Sequence, residues 1–214
     1  MVLAEKLWGQ SFCVLGTSTS ILCRRQCLPR ISILAPNSLT QCTHRWIPAH
    51  FFPFQGTEAK VDAVVQEVLR AQAQHALEGV TFSGGEPMQQ AGSLLGLMQG
   101  LRRQAPDLSF GMFSGYTEHE LAKGQYWIWG DGSSKQHRKR LWQEIRACLD
   151  FAILGRFNQA QPSSLPLRTS RNQVLRLFSH RYTPADFGEE LIEISIKEGG
   201  RVEVTGFPTF GLPW

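Results

Sequence analysis

Gly79-Val80-Thr81-Phe82-Ser83-Gly84-Gly85-Glu86-Pro87 decides how this chain is read. An apolar run ends in two glycines, a carboxylate and a proline, and a helical pattern follows. That order describes a strand tip opening into a turn that can touch a ligand. Gly84 and Gly85 let bare backbone approach, because no Cβ stands in the way. Glu86 offers a carboxylate to a cation or an ammonium group. Pro87 removes a donor and stops the strand. A structural Gly-Gly turn is the plain alternative, so the surroundings have to decide.

On the N-terminal side, Val61, Val64, Val65, Val68 and Leu69 recur at helical spacing. With Thr57 as N-cap they predict an amphipathic helix from Glu58 to about His75. On the C-terminal side, Leu94, Leu95, Leu97, Met98 and Leu101 predict a second helix, ended by Pro106. Leu108–Phe113 reads as a strand. Arg138–Leu149 reads as a helix with Trp142, Ile145 and Leu149 inward. Phe151–Leu154 is apolar enough to be a strand covered on both faces. This alternation predicts an α/β chain with a parallel sheet and right-handed crossovers. Ile31–Leu34 is the candidate first strand, broken early by Pro36 and Asn37.

The C-terminal part reads differently. Val174–Phe178, Leu191–Ile196 and Arg201–Thr205 are strand-like, with a hairpin turn at Glu198-Gly199-Gly200. Asn158–Ser170 reads as a loop and Lys123–Lys139 as a surface insertion. In folds of parallel strands, ligands sit at the carboxyl ends of the strands. Ser83–Glu86, Ser114–Tyr116 and Gly155–Arg156 all fall at such ends, which predicts one pocket from distant segments.

The chain has 214 residues, 42% of them hydrophobic, enough for one core. Its formal net charge of +4 carries no argument for nucleic acid. No apolar run is long enough to span a bilayer. Five cysteines at irregular spacing make no disulfide framework and fit a reducing cytoplasm. Lys135, His137, Arg138, Lys139 and Arg140 form a basic run near Trp127, Trp129 and Trp142. Such a run can bind single strands. It is read as a solvated insertion, with a protein-contact surface as the middle option.

Gly-Gly-Glu-Pro after a strand, then Phe113-Ser114-Gly115-Tyr116-Thr117 at the next strand end, resembles the radical S-adenosylmethionine enzymes. The branch it most resembles is that of the small activating enzymes of the anaerobic ribonucleotide reductase type. Leu149–Phe157, Leu165–Gln173 and Val202–Pro208 fit that branch in order. The resemblance divides the chain into a divergent segment 1–41, a domain 42–208 and a tail 209–214. It implies a partial (β/α) barrel with a C-terminal β-hairpin. It implies S-adenosylmethionine and a 4Fe–4S cluster as cofactors. The implied activity is generation of a 5′-deoxyadenosyl radical that activates a partner protein, such as a glycyl-radical enzyme. Gly84, Gly85 and Glu86 would take the cofactor's amino group, and Ser114 and Tyr116 would line the same cofactor. Asn172 and Gln173 would contact it or the loop beneath it.

The resemblance fails at the cluster. The family spaces three cysteines C-x3-C-x2-C after the first strand. The corresponding stretch here is Cys42-Thr43-His44-Arg45-Trp46-Ile47-Pro48-Ala49-His50, where of the three cluster cysteines only Cys42 is present as a metal ligand. A small deletion, with Trp46 in place of Cys-x-x-Cys, explains the stretch better than an ungapped reading. Thiolates are the natural cluster ligands, and an indole N–H has no lone pair to give. Cys23 and Cys27 have the first spacing but precede the first strand. Cys42, His44 and His50 form a group that could hold zinc or a single iron, or stand as an ordinary solvated loop. Two readings follow. One is an activating enzyme impaired at its cluster loop; the other is a non-catalytic scaffold that keeps the fold and partner surface.

Overall fold

The computed structural model describes residues 11–14, 18–19, 30–35, 57–75, 77–84, 86–128, 132–165, 167–187, 192–196 and 202–206. Six strands form the main sheet: β2 (Ser18–Thr19), β3 (Arg30–Ala35), β5 (Gly79–Gly84), β6 (Ser109–Ser114), β7 (Phe151–Leu154) and β8 (Val174–Leu177). They lie side by side in that order. β3, β5, β6 and β7 run parallel, while β2 and β8 pair antiparallel at the two edges. The predicted α/β chain with a parallel sheet therefore holds. The sheet is open, and no closed barrel forms among the described residues.

Strand order never reverses across the four parallel strands. Right-handed crossovers that step one way place their helices on one side. Accordingly α1 (Val61–His75) packs on α2 (Ala91–Gln104), and α2 packs on α4 (Lys135–Cys148). Alternate residues of each strand meet this layer. Val80 and Phe82, Phe110 and Met112, and Ala152 and Leu154 join Leu94, Leu97, Met98, Leu101, Trp142 and Ile145 in one core. Each large apolar side chain removed from water there contributes about 1.5–3 kcal/mol.

The opposite face of the sheet is covered at one end by Phe151, Tyr182 and Phe187. The tip of the Phe151 ring lies against Gly111, where a Cβ would stand only 2.2 Å from Cζ. Only glycine admits that packing. Phe151–Leu154 is thus buried on both faces, as its composition predicted.

Below the amino ends of the strands, Asp150 ties the sheet to the C-terminal segment. Its carboxylate accepts from Phe110 N (2.8 Å) and Ser179 Oγ (2.6 Å). Arg102 donates to the carbonyls of Pro106, Leu108 and Cys148 at 2.8, 2.8 and 2.9 Å.

Three expectations need correction. Thr57 is not an N-cap: Thr57–Lys60 is a strand, β4, paired antiparallel with β1 (Ser11–Val14), and α1 starts at Val61. The pairing with a distant segment claims backbone groups that a cap would have used. Lys123–Lys139 is not a surface insertion. Tyr126 and Ile128 are buried, and α4 begins at Lys135 with Ser134 as N-cap, its hydroxyl accepting from His137 N. Arg138 is therefore a residue of the helix's second turn rather than its start. The C-terminal hairpin forms from β9 (Ile192–Ile196) and β10 (Val202–Gly206); its turn at 198–200 lies outside the described residues. No helix among the described residues is long and apolar enough to cross a membrane.

Candidate functional site

The carboxyl ends of β5, β6 and β7 lie next to one another, and Glu86 sits at their centre. It ends an extended backbone segment and caps the 3-10 turn Pro87–Gln90, which leads into α2. Only 4% of it is exposed. Oε1 accepts from Met88 N at 3.0 Å and from Ser114 Oγ at 2.8 Å. Oε2 accepts from Gly115 N at 2.8 Å. The carboxylate thus ties the tip of β5 to the tip of β6.

Burial pushes the Glu86 carboxyl up from 4.5 to about 7. The Met88 amide, the Ser114 hydroxyl, the Gly115 amide and the Arg156 charge all act the other way. Desolvation outweighs them because little water reaches either oxygen.

Arg156 follows the tip of β7 and closes the site's rim. Its guanidinium pairs with Glu120 at 2.9 Å and lies 5.5 Å from the centre of the Tyr116 ring. Glu120 also closes the capping box of α3 (Glu118–Ala122), accepting from Thr117 N. Burial is the largest single influence on the Glu120 carboxyl and raises it, but the bonds from Thr117 and the Arg156 contact together hold it below its usual value. Tyr116 is 2% exposed, with its hydroxyl accepting from Trp127 N at 3.1 Å.

Asn172 and Gln173 reach the same corner from beyond the 158–170 loop. Asn172 Nδ2 donates to the Arg156 carbonyl (2.6 Å) and Gln173 Nε2 to that of Gly155 (3.2 Å). Gln173 Oε1 also accepts from Thr169 N and Ser170 N. Gly155 has φ +125°, a conformation that favours glycine. The pair therefore fixes the turn after β7.

Of the residues singled out from sequence, Glu86, Ser114, Tyr116, Asn172 and Gln173 converge on one end of the sheet. Gly84 ends β5, opposite Ala35 of β3. Gly85 and Cys42 lie outside the described residues, as do Cys23, Cys27, His44, Trp46 and His50. Sequence reading missed the Gly115 amide and Glu120. Thr117-x-x-Glu120 is a capping-box pattern and could have been read.

A family model described as a 4Fe–4S single cluster domain matches residues 30–176. The chain belongs to that family. The matched span runs from β3 to β8 and contains every element that builds the site. No curated protein matches the chain.

The cluster of a 4Fe–4S single cluster domain needs thiolates, and the donor set is the test of fit. Among the described residues no group of three His, Cys, Asp or Glu could hold a metal ion. The stretch with the family's spacing offers one thiol, Cys42, where three are needed. The donors of that stretch do not by themselves fit that cluster, and Cys23 and Cys27 lie outside the described residues. Oε2 of Glu86 accepts one hydrogen bond within the chain, and a carboxylate oxygen has room for a second.

Proposed function

We propose that this chain is an activating protein of the radical S-adenosylmethionine type, impaired in radical generation because two of three cluster cysteines are absent. In this reading the four parallel strands are one side of a partial barrel. S-adenosylmethionine binds at their carboxyl ends, with its amino group at Glu86 and the strand tips at Gly84, Gly85 and Ser114 around it. Tyr116, Asn172 and Gln173 support the rim. The protein acted upon is a glycyl-radical enzyme or another protein substrate, in a reducing cytoplasm. A cluster would supply the electron that cleaves the sulfonium bond, and one cysteine is too few to seat it.

One observation carries the reading. Segments that the family resemblance marks out, 28 to 70 residues from Glu86 in sequence, bring Ser114, Gly115 and the Arg156 charge to one buried carboxylate within the matched span. A second reading, a non-catalytic scaffold, is favoured by a different observation. Glu86 already bonds three groups of its own chain and so has a structural role without any ligand.

The test is calorimetric titration of the full chain with S-adenosylmethionine, beside iron analysis and visible absorbance after anaerobic reconstitution. Cofactor binding without a cluster absorbance band is expected. A band in the unaltered chain would overturn the ligand argument. Absence of cofactor binding would leave the scaffold. Replacing Trp46 by Cys-Pro-Gly-Cys should restore iron uptake; failure in a folded variant counts against the deletion.

A further inference from the structure

Residues 123–140 hold five Lys/Arg and one Asp, a formal charge of +4. That equals the formal charge of the whole chain, so the rest balances at 17 Lys/Arg against 17 Asp/Glu. The basic residues are not scattered. Lys135, Arg138, Lys139 and Arg140 occupy the first two turns of α4, and Lys123 ends α3. Lys123, Lys135, His137 and Arg140 are exposed. The first turn of α4 has no acidic residue, an arrangement the helix dipole opposes. Arg140 pairs with Glu144 at 3.5 Å on an open surface. Lys123, Lys135 and Lys139 make no ion pair among the described residues.

The surface is also fixed and partly apolar. Arg138 Nε donates to the Gly124 carbonyl (3.0 Å), and the Arg138 carbonyl accepts from the Tyr126 hydroxyl (2.6 Å). These bonds tie Gly124 and Tyr126 to the start of α4. Trp127 follows Tyr126 and is 48% exposed. Its amide donates to the Tyr116 hydroxyl, so it adjoins the strand-tip site.

We propose that Lys123, Trp127 and the first two turns of α4 form a docking surface for an acidic segment of a protein partner, beside the strand-tip site. The surface does not depend on cofactor binding. The basic part is compact: Lys135 to Arg140 advances only about 8 Å along the helix axis. An acidic loop or helix end matches that footprint. A single nucleic-acid strand runs over several nucleotides and stacks on successive aromatics. Here Tyr126 and Trp142 are buried, and Trp127 is the exposed tryptophan among the described residues. An exposed tryptophan that follows Tyr126, itself bonded to the basic start of α4, suits a protein contact, where such residues anchor binding.

The experiment titrates the full chain with a labelled peptide of about twelve Glu, Asp and Leu residues, and separately with labelled oligothymidylate of equal length. The variants are K135E/K139E/R140E, W127A and a control reversal of exposed cations elsewhere, K60E/R70E/R103E. The peptide should bind and weaken as salt rises. The patch reversal should cut affinity by roughly tenfold or more and W127A by several-fold, while the control reversal leaves it within about twofold. Circular dichroism checks the fold; if the triple reversal unfolds, K135E alone and W127A carry the same comparison. No binding by the parent chain, equal losses in patch and control reversals, or tighter binding of oligothymidylate than of peptide would each overturn the proposal.

Discussion

Glu86→Gln isolates the charge that joins the two strand tips. The side chain keeps its shape, but its amide must face a donor. Met88 N and Ser114 Oγ point at one oxygen, and Gly115 N at the other. Whichever way the amide turns, one buried backbone N–H loses its acceptor, at a cost of about 1–3 kcal/mol. The pH dependence separates this loss from the charge itself. The carboxyl titrates at about 7 in the folded chain against 4.5 ordinarily. Folded protein therefore holds the proton more tightly. The stability from the neutral carboxyl is full below 4.5 and is lost as pH rises through about 7. That gap is worth on the order of 3 kcal/mol.

Gln does not titrate, so the difference between the two chains reports Glu86 alone, with shared groups cancelling. At about pH 5 the variant should be less stable by the lost hydrogen bond. By about pH 8 the difference should have moved in its favour by on the order of 3 kcal/mol, closing the gap or reversing it. Urea unfolding followed by tryptophan fluorescence, at several pH values across that range, measures it. A difference that stays constant with pH would refute the assignment of a buried, raised carboxyl at this position.

Three further outcomes are expected. Arg102→Ala should destabilise by about 2–4 kcal/mol, since it removes three bonds to carbonyls and a guanidinium 4.3 Å from the Phe110 ring; chemical denaturation measures it. Gly111→Ala should cost about 1–3 kcal/mol by overpacking, and pairing it with Phe151→Ala should give a non-additive cycle in thermal unfolding. Gln173→Ala frees the Thr169 and Ser170 amides and the Gly155 carbonyl, so trypsin should cut faster at Arg168 and Arg171 while global stability falls by about 1–2 kcal/mol.

What could be read in the chain before folding followed the range of the interaction. β5, β6, β7, α1 and α2 bury local patterns of valine, leucine and phenylalanine, so their periodicity announces them. β4 does not: Thr57–Lys60 is a strand only because Ser11–Val14 pairs with it, and four residues carry no period. The start of α4 was hidden for another reason. Its first buried residue is Leu141, so the two turns before it show no apolar face, and only Ser134 as N-cap marks the beginning. In the site, the strand tips were legible because chain direction in a parallel sheet fixes where they lie. The partners of Glu86 were not, because Ser114 and Gly115 reach it across 28 and 29 residues.

That last point changes what the Gly-Gly-Glu-Pro turn implies. A motif recognised for touching a ligand invites the inference that the ligand is required. Here the carboxylate has work to do within the chain: it caps the turn into α2, accepts the Ser114 hydroxyl and holds the Gly115 amide. None of those bonds involves a thiolate or a metal. The strand-tip geometry can therefore persist while the cluster cysteines are absent, and the two halves of the site are separable. The presence of the turn supports the fold and a place for an amino group. It says nothing for electron transfer, which needs thiolates that the turn does not supply. The proposed reading gives this chain the first without the second, and the two are measured independently, one by calorimetry and the other by iron.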